Sequence, residues 1–102
     1  TMKITWTIPA NKELRKIYNF YKKNASVKVA QSIKDKIFES TSQLQSFEYS
    51  APKEELLKGR KDDYRSLVSG YFKVIYKVTP KEIYIVDVFD CRQYPEKIKR
   101  GK

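Results

Sequence analysis

Met2, Ile4, Trp6 and Ile8 alternate with Lys3, Thr5 and Thr7, a period of two that predicts a half-buried strand. Pro9 stops it, and proline suits the first turn of a helix. From Ala10 the period lengthens. Ala10, Leu14, Ile17, Tyr18 and Tyr21 fall on one helical face, with Lys12, Glu13, Arg15, Lys16, Lys22 and Lys23 on the other. Asn24 ends this helix, and Ser26 is placed to cap the next. The second helix is expected from about Val27 to Ser46, with Ala30, Ile33, Ile37, Thr41 and Leu44 as its buried stripe. The link between the helices is short, so they form an antiparallel hairpin. From Phe47 to Asp63 the periodicity dissolves. Ser50, Pro52, Gly59 and many charges mark a surface connection, with one helical turn available at Glu54 to Lys58.

Three strands close the pattern: Tyr64 to Ser69, Tyr71 to Thr79 and Glu82 to Asp90. Ser69-Gly70 and Thr79-Pro80-Lys81 supply the turns, and turns this short force an antiparallel meander. The fold class is α+β. An N-terminal strand, a helix hairpin and a three-stranded meander build one domain over residues 1–102, with the helices on one face of a four-stranded twisted sheet. A short basic tail follows from about residue 91 to 102. On the middle strand, Phe72, Val74, Tyr76 and Val78 share the core side; Tyr71, Lys73, Ile75 and Lys77 share the open side.

Register decides which charges reach the open side. An even loop after Ser69 would set Arg65 opposite Val74 on the core face. A three-residue loop, Ser69-Gly70-Tyr71, pairs Arg65 with Ile75 and Val68 with Phe72. It frees Arg65 into solvent and uses Gly70 where a bulged loop needs positive φ, so it is the expected register. In the last hairpin, an odd loop turns Tyr84, Val86 and Val88 to the core. Asp87 then faces outward opposite Ile75, which avoids burying a carboxylate. The open face then carries Arg65, Lys73, Lys77, Tyr71 and Asp87, with Arg92 and Tyr94 entering from the end of the last strand.

Charge sharpens this picture. The 102 residues include 22 Lys+Arg against 12 Asp+Glu, a formal charge of +10, which favours a polyanionic partner. Cations with exposed tyrosines on a sheet suit nucleic acid, since cations neutralise phosphates and aromatic faces stack on bases. Lys73 and Lys77 fit a plainly solvated strand face equally well. No histidine is present, which excludes His-dependent zinc sites, Ser-His-Asp triads and Cys-His pairs. The single cysteine, Cys91, excludes an intramolecular disulfide and fits best as a small packed hydrophobe. Trp6 is expected in the core. No metal or other cofactor is expected. No apolar run is long enough to span a bilayer and no secretory pattern is present, so the expected location is cytoplasmic. Thr1 before Met2 reads as an added residue, with Met2 the native start.

The run Tyr64-Arg65-Ser66-Leu67-Val68-Ser69-Gly70-Tyr71-Phe72-Lys73-Val74-Ile75-Tyr76-Lys77-Val78 resembles the central hairpin of the RelE/ParE toxin superfamily. Leu14, Ile17 and Tyr21 are similar to the family's first-helix pattern. Val88-Phe89-Asp90-Cys91-Arg92-Gln93-Tyr94-Pro95 is similar to its last strand and following Arg. The resemblance implies the toxin of a bacterial type II toxin–antitoxin pair, neutralised by an acidic antitoxin. RelE-like members cut messenger RNA on the ribosome; ParE-like members poison DNA gyrase without hydrolysis.

Carried over residue by residue, Lys73 takes the place of the hairpin Arg that contacts the scissile phosphate in the nucleases. Arg92 matches the Arg after the final strand, and Arg65 the first of two lysines. Leu67 stands near the second lysine's place, Ile98 where RelE carries a C-terminal Tyr, and no His is available. Metal-free RNA cleavage needs a base, a phosphorane stabiliser and an acid. Arg65 and Arg92 suit only charge stabilisation. Lys73 among other cations suits proton transfer, and Tyr94 suits donation to the leaving group. These four are the candidate catalytic residues; Tyr71, Lys77, Lys97, Lys99 and Arg100 are the candidate nucleic-acid contacts. The expected activity is ribosome-dependent mRNA cleavage, with gyrase inhibition and a non-toxic RNA-binding module as the alternatives.

Overall fold

The computed structural model describes residues 2–48, 51–54 and 62–92. The order is β1 (Lys3–Trp6), α1 (Ile8–Asn24), α2 (Val27–Ser42) with a 3-10 turn at Gln43–Gln45, then β2 (Asp63–Ser69), β3 (Phe72–Val78) and β4 (Glu82–Asp90). Helix α1 starts earlier than the alternation suggested. The Thr7 hydroxyl accepts from the Ala10 N–H and donates to the Ile85 carbonyl at 2.8 Å. It both caps the helix and pins it to β4. Ile8 therefore opens the helix instead of continuing the strand, and it stands in solvent. Ser26 caps α2 as expected, its Oγ accepting from the Val29 N–H at 3.0 Å.

The sheet order is β1-β4-β3-β2, with β1 parallel to β4 and the other neighbours antiparallel. Ala10, Leu14 and Ile17 from α1 and Ala30, Ile37 and Leu44 from the second helical stretch are buried. All of these but Ala30 form one core with Phe72, Val74, Tyr76, Val78, Ile83, Ile85 and Val88. Tyr76 is wholly buried, and its hydroxyl donates to the Glu48 carbonyl at 2.9 Å, which satisfies the polar atom. Trp6 is half-buried, meeting Phe38 edge-on with ring centres 5.1 Å apart.

The β2–β3 register differs from the expected one. The turn has two residues, Gly70-Tyr71, so Ser69 pairs with Phe72, Leu67 with Val74 and Arg65 with Tyr76. Gly70 has φ +61° and occupies the first central position, as a type II′ turn requires. Leu67, not Val68, turns to the core, and Val68 is 67% exposed. Arg65 consequently sits on the helix-facing side, opposite neither Ile75 nor Val74. An added Cβ at Gly70 meets nothing within 4 Å. Gly70→Ala should therefore cost only the left-handed backbone penalty, about 1–2 kcal/mol, read as a shift in the urea midpoint with no change in slope.

In the last hairpin, Asp87 lies opposite Ile75 and Val88 opposite Val74, as expected. Beyond Ile75 the register slips, with Tyr76 opposite Ile85 and Val78 opposite Ile83. A bulge at Val86 absorbs one residue. Ile83 and Ile85, rather than Tyr84 and Val86, thus fill the core, both fully buried.

The connection after α2 is not merely a surface link. Lys53 bridges to Arg65, the Glu54 N–H donates to the Tyr64 carbonyl at 2.9 Å, and the Ser66 N–H donates to the Pro52 carbonyl at 3.2 Å. Residues 51–54 thus extend the β2 edge, with Ala51 and Glu54 buried. Glu54 is extended, not helical, and the rest of the expected turn to Lys58 lies outside the described residues. The sheet face away from the helices is also less open than expected. Ser66, Ile75 and Phe89 are buried on it, and Lys73 and Lys77 are half-buried.

Candidate functional site

The end of β4 gathers one group of chemically active side chains. Asp90 pairs with Phe72 and so points toward the helices, where it is completely buried. The Tyr21 hydroxyl of α1 donates to Asp90 Oδ2. The Arg92 backbone N–H donates to Oδ1 at 2.9 Å, and Arg92 Nε lies 3.5 Å from the same oxygen. Arg92 Nη2 also donates to the Tyr21 Oη at 2.8 Å. The Tyr71 ring lies under the guanidinium, 4.0 Å from ring centre to Cζ, and the Cys91 N–H donates to the Tyr71 carbonyl at 2.9 Å. A buried carboxylate, a tyrosine from the first helix and an arginine from the strand end therefore hold one another. They present a stacked Arg92–Tyr71 pair to solvent.

Electrostatics fix the protonation states. Burial alone would raise the Asp90 pKa, but hydrogen bonds from Tyr21 and Arg92 hold it below the usual carboxylate value. Burial and the Asp90 contact push the Tyr21 hydroxyl above its usual value. The neighbouring tyrosine and carboxylate raise Arg92 against the effect of burial. At neutral pH Asp90 is ionised, Tyr21 neutral and Arg92 cationic, so the cluster can bind but has no group poised to exchange a proton. Burial raises the Cys91 thiol, which fits a packing role.

Lys73 belongs to a second group on the other face. Its Nζ lies 2.7 Å and 3.0 Å from the two carboxylate oxygens of Glu54, a side chain only 3% exposed. Lys77 lies 3.8 Å from Asp62 and 5.5 Å from the Tyr84 ring centre. Arg65 donates to the Ala51 carbonyl at 2.8 Å, and its Nε lies 3.3 Å from Asp63. Lys73 and Arg92 are not brought together: one reaches Glu54, the other Asp90 and Tyr21 across the sheet. Tyr94, Lys97, Lys99 and Arg100 lie outside the described residues. Among the described residues, no group of three carboxylates or cysteines could hold a metal ion, and no helix is long and apolar enough to cross a membrane.

The family model for the ParE toxin of type II toxin–antitoxin systems, parDE, matches residues 4–95. The chain belongs to the ParE toxin family. One solved structure similar to this ParE-family chain is described as the chromosomal ParDE toxin–antitoxin system from P. aeruginosa. It is 25% identical with a TM-score of 0.74, over 87% of this chain and 95% of that one. No curated protein matches the chain.

Sequence reasoning named the cations of this ParE-family chain but not their partners, Glu54, Asp63 and Asp90, nor Tyr21 as a site residue. Asp90 carried a readable signal, since it shares the parity of Val88 and a carboxylate at a core position needs a donor. Glu54 carried none, lying in the least periodic stretch.

Proposed function

We propose that this ParE-family chain arrests growth by binding DNA gyrase rather than by cutting RNA, and that an acidic antitoxin neutralises it. The supporting observation is that each described sheet cation a nuclease would aim at a phosphate already faces a carboxylate. Lys73 meets Glu54, Arg65 meets Asp63 and Arg92 meets Asp90. A phosphorane stabiliser must be free to meet charge as it develops. A binding surface has no such requirement. The stacked Arg92–Tyr71 pair, with Arg92 half-exposed, offers the guanidinium and aromatic face enriched at protein interfaces. The Asp90–Tyr21 support holds that arginine in place before any partner arrives.

Induced expression of the chain should halt bacterial growth, with filamentation, gyrase-linked DNA breaks and intact messenger RNA by primer extension. Codon-phased mRNA cuts without gyrase-linked breaks would instead establish the ribosome-dependent nuclease. Co-expression of the adjacent reading frame should restore growth. Normal growth at confirmed expression of folded protein would rule out a toxin.

A further inference from the structure

The positive charge of the described residues is not spread evenly. Helix α1 carries five cations, Lys12, Arg15, Lys16, Lys22 and Lys23, against one carboxylate, Glu13. All the other described residues together carry ten cations and nine carboxylates, close to balance. At the sheet, Lys3 forms no ion pair with a described carboxylate, but Arg65, Lys73, Lys77 and Arg92 face carboxylates, as above. On α1 only Lys16 does, 3.1 Å from Glu13 in an exposed i,i+3 pair, an interaction of little energetic weight. Lys12, Arg15, Lys22 and Lys23 form no ion pair with a described carboxylate and are all exposed.

Helical spacing lines these residues up. Lys12, Lys16, Asn19 and Lys23 follow one another along one stripe, with Arg15 and Lys22 beside it. From Lys12 to Lys23 the stripe is about 16 Å long, on a helix held rigid by Ala10, Leu14 and Ile17 in the core. Its composition separates possible partners. Between Lys12 and Lys23 the stripe itself holds only ammonium groups and an amide, with Arg15 beside it, exposed Ile8 one turn before it and exposed Phe20 on its flank; the tryptophan and tyrosine anchors of a protein interface are absent from it. Lysine and asparagine are among the side chains that meet phosphate oxygens. A duplex offers about one negative charge per 1.7 Å of axis, far denser than a folded acidic protein surface.

We infer that the outward face of α1 is a docking surface for duplex DNA, engaging its phosphate backbone without sequence preference. The inference rests on charge placement alone and does not require gyrase to be the target.

The test is fluorescence anisotropy of a labelled mixed-sequence duplex of about two helical turns, with the purified full chain, between about 50 and 200 mM salt. Each phosphate that a lysine neutralises adds about 0.9 to the slope of log affinity against log salt. The triple variant Lys12→Gln/Lys16→Gln/Lys23→Gln should therefore flatten that slope by about 2.7. A control with the same charge change, Lys3→Gln/Lys53→Gln/Lys81→Gln, should flatten it by less than about 1. All six positions are exposed, and unchanged circular dichroism verifies folding. Equal flattening in both variants would reduce the effect to net charge and overturn the inference, as would absence of duplex binding by the parent chain. Unchanged duplex affinity with weakened binding to poly-L-glutamate would make α1 a surface for an acidic protein, and would also overturn it. Each of these outcomes leaves the growth and gyrase measurements untouched.

Discussion

Glu54→Ala should destabilise the protein by about 3–5 kcal/mol, the scale of breaking a buried ion pair from one side. That is a large share of the total stability of a domain this size. Lys73 would keep its ammonium group in a half-buried place with no carboxylate to meet it, while the edge segment at residues 51–54 would lose the side chain that ties it across β2 to β3. The double variant Glu54→Leu/Lys73→Met should recover most of the loss, because an apolar pair of similar volume removes two desolvation penalties together. Urea denaturation of the three proteins measures this directly. A small loss for Glu54→Ala would mean that solvent reaches the pair and that Lys73 is available to outside anions. The double variant also bears on mechanism. Under the binding mode proposed above it should still arrest growth. A folded double variant that is harmless would return Lys73 to the role of phosphate ligand.

The second large effect is expected at Asp90. Asp90→Asn keeps the shape but removes the charge that Tyr21 and Arg92 both address. It also turns an amide donor toward groups that are themselves donors. The expected cost is about 2–3 kcal/mol, the range for hydrogen bonds to a charged group. Its pH dependence follows from the shifts. Asp90 is depressed in the folded state, so its contribution is complete above the unfolded value of about 3.9 and fades as pH falls through the lower folded value. The gap between parent and Asp90→Asn should therefore close in acid. Tyr21 is raised, so its contribution holds below about 10 and fades as pH rises further. Tyr21→Phe should lose that alkaline limb. Melting temperatures across pH test both limbs, and a gap constant down to about pH 2 would show that the Asp90 charge is not what the cluster uses.

How far the sequence carried can be seen at particular residues. The change from alternation at Met2–Trp6 to helical spacing at Ala10–Tyr21 showed β1 and α1, because each period reflects one buried face. The three C-terminal strands were legible for the same reason. Two registers were not. The hairpin at Ser69–Phe72 could be closed with either Leu67 or Val68 inside, and both are apolar; the choice falls to the turn geometry of Gly70, not to hydrophobicity. The bulge at Val86 carries no glycine or proline to announce it, and Tyr84-Ile85-Val86 is apolar at every position, so parity gives no warning. The site was legible only in its cations. Long charged side chains are placed by partners that periodicity does not mark: Arg65 by its near neighbour Asp63 and by Ala51, Lys73 by Glu54 and Arg92 by Tyr21, all but the Asp63 pair being far apart in sequence.

The pairing of β1 with β4 has a consequence for the making of the protein. Residues 3–6 find their strand partner only at residues 82–85, and Tyr21 finds its carboxylate only at residue 90. The α1–α2 hairpin is built from near neighbours and can form early, but these pairings are among the most distant the chain contains, and distant pairings are the slow ones. A chain emerging from the ribosome therefore has its helices well before it has a finished sheet or a supported Arg92. Prematurely terminated chains lack both. The dose of active protein in a cell thus counts completed chains rather than initiated ones, and a partner present during synthesis meets the unfinished form first.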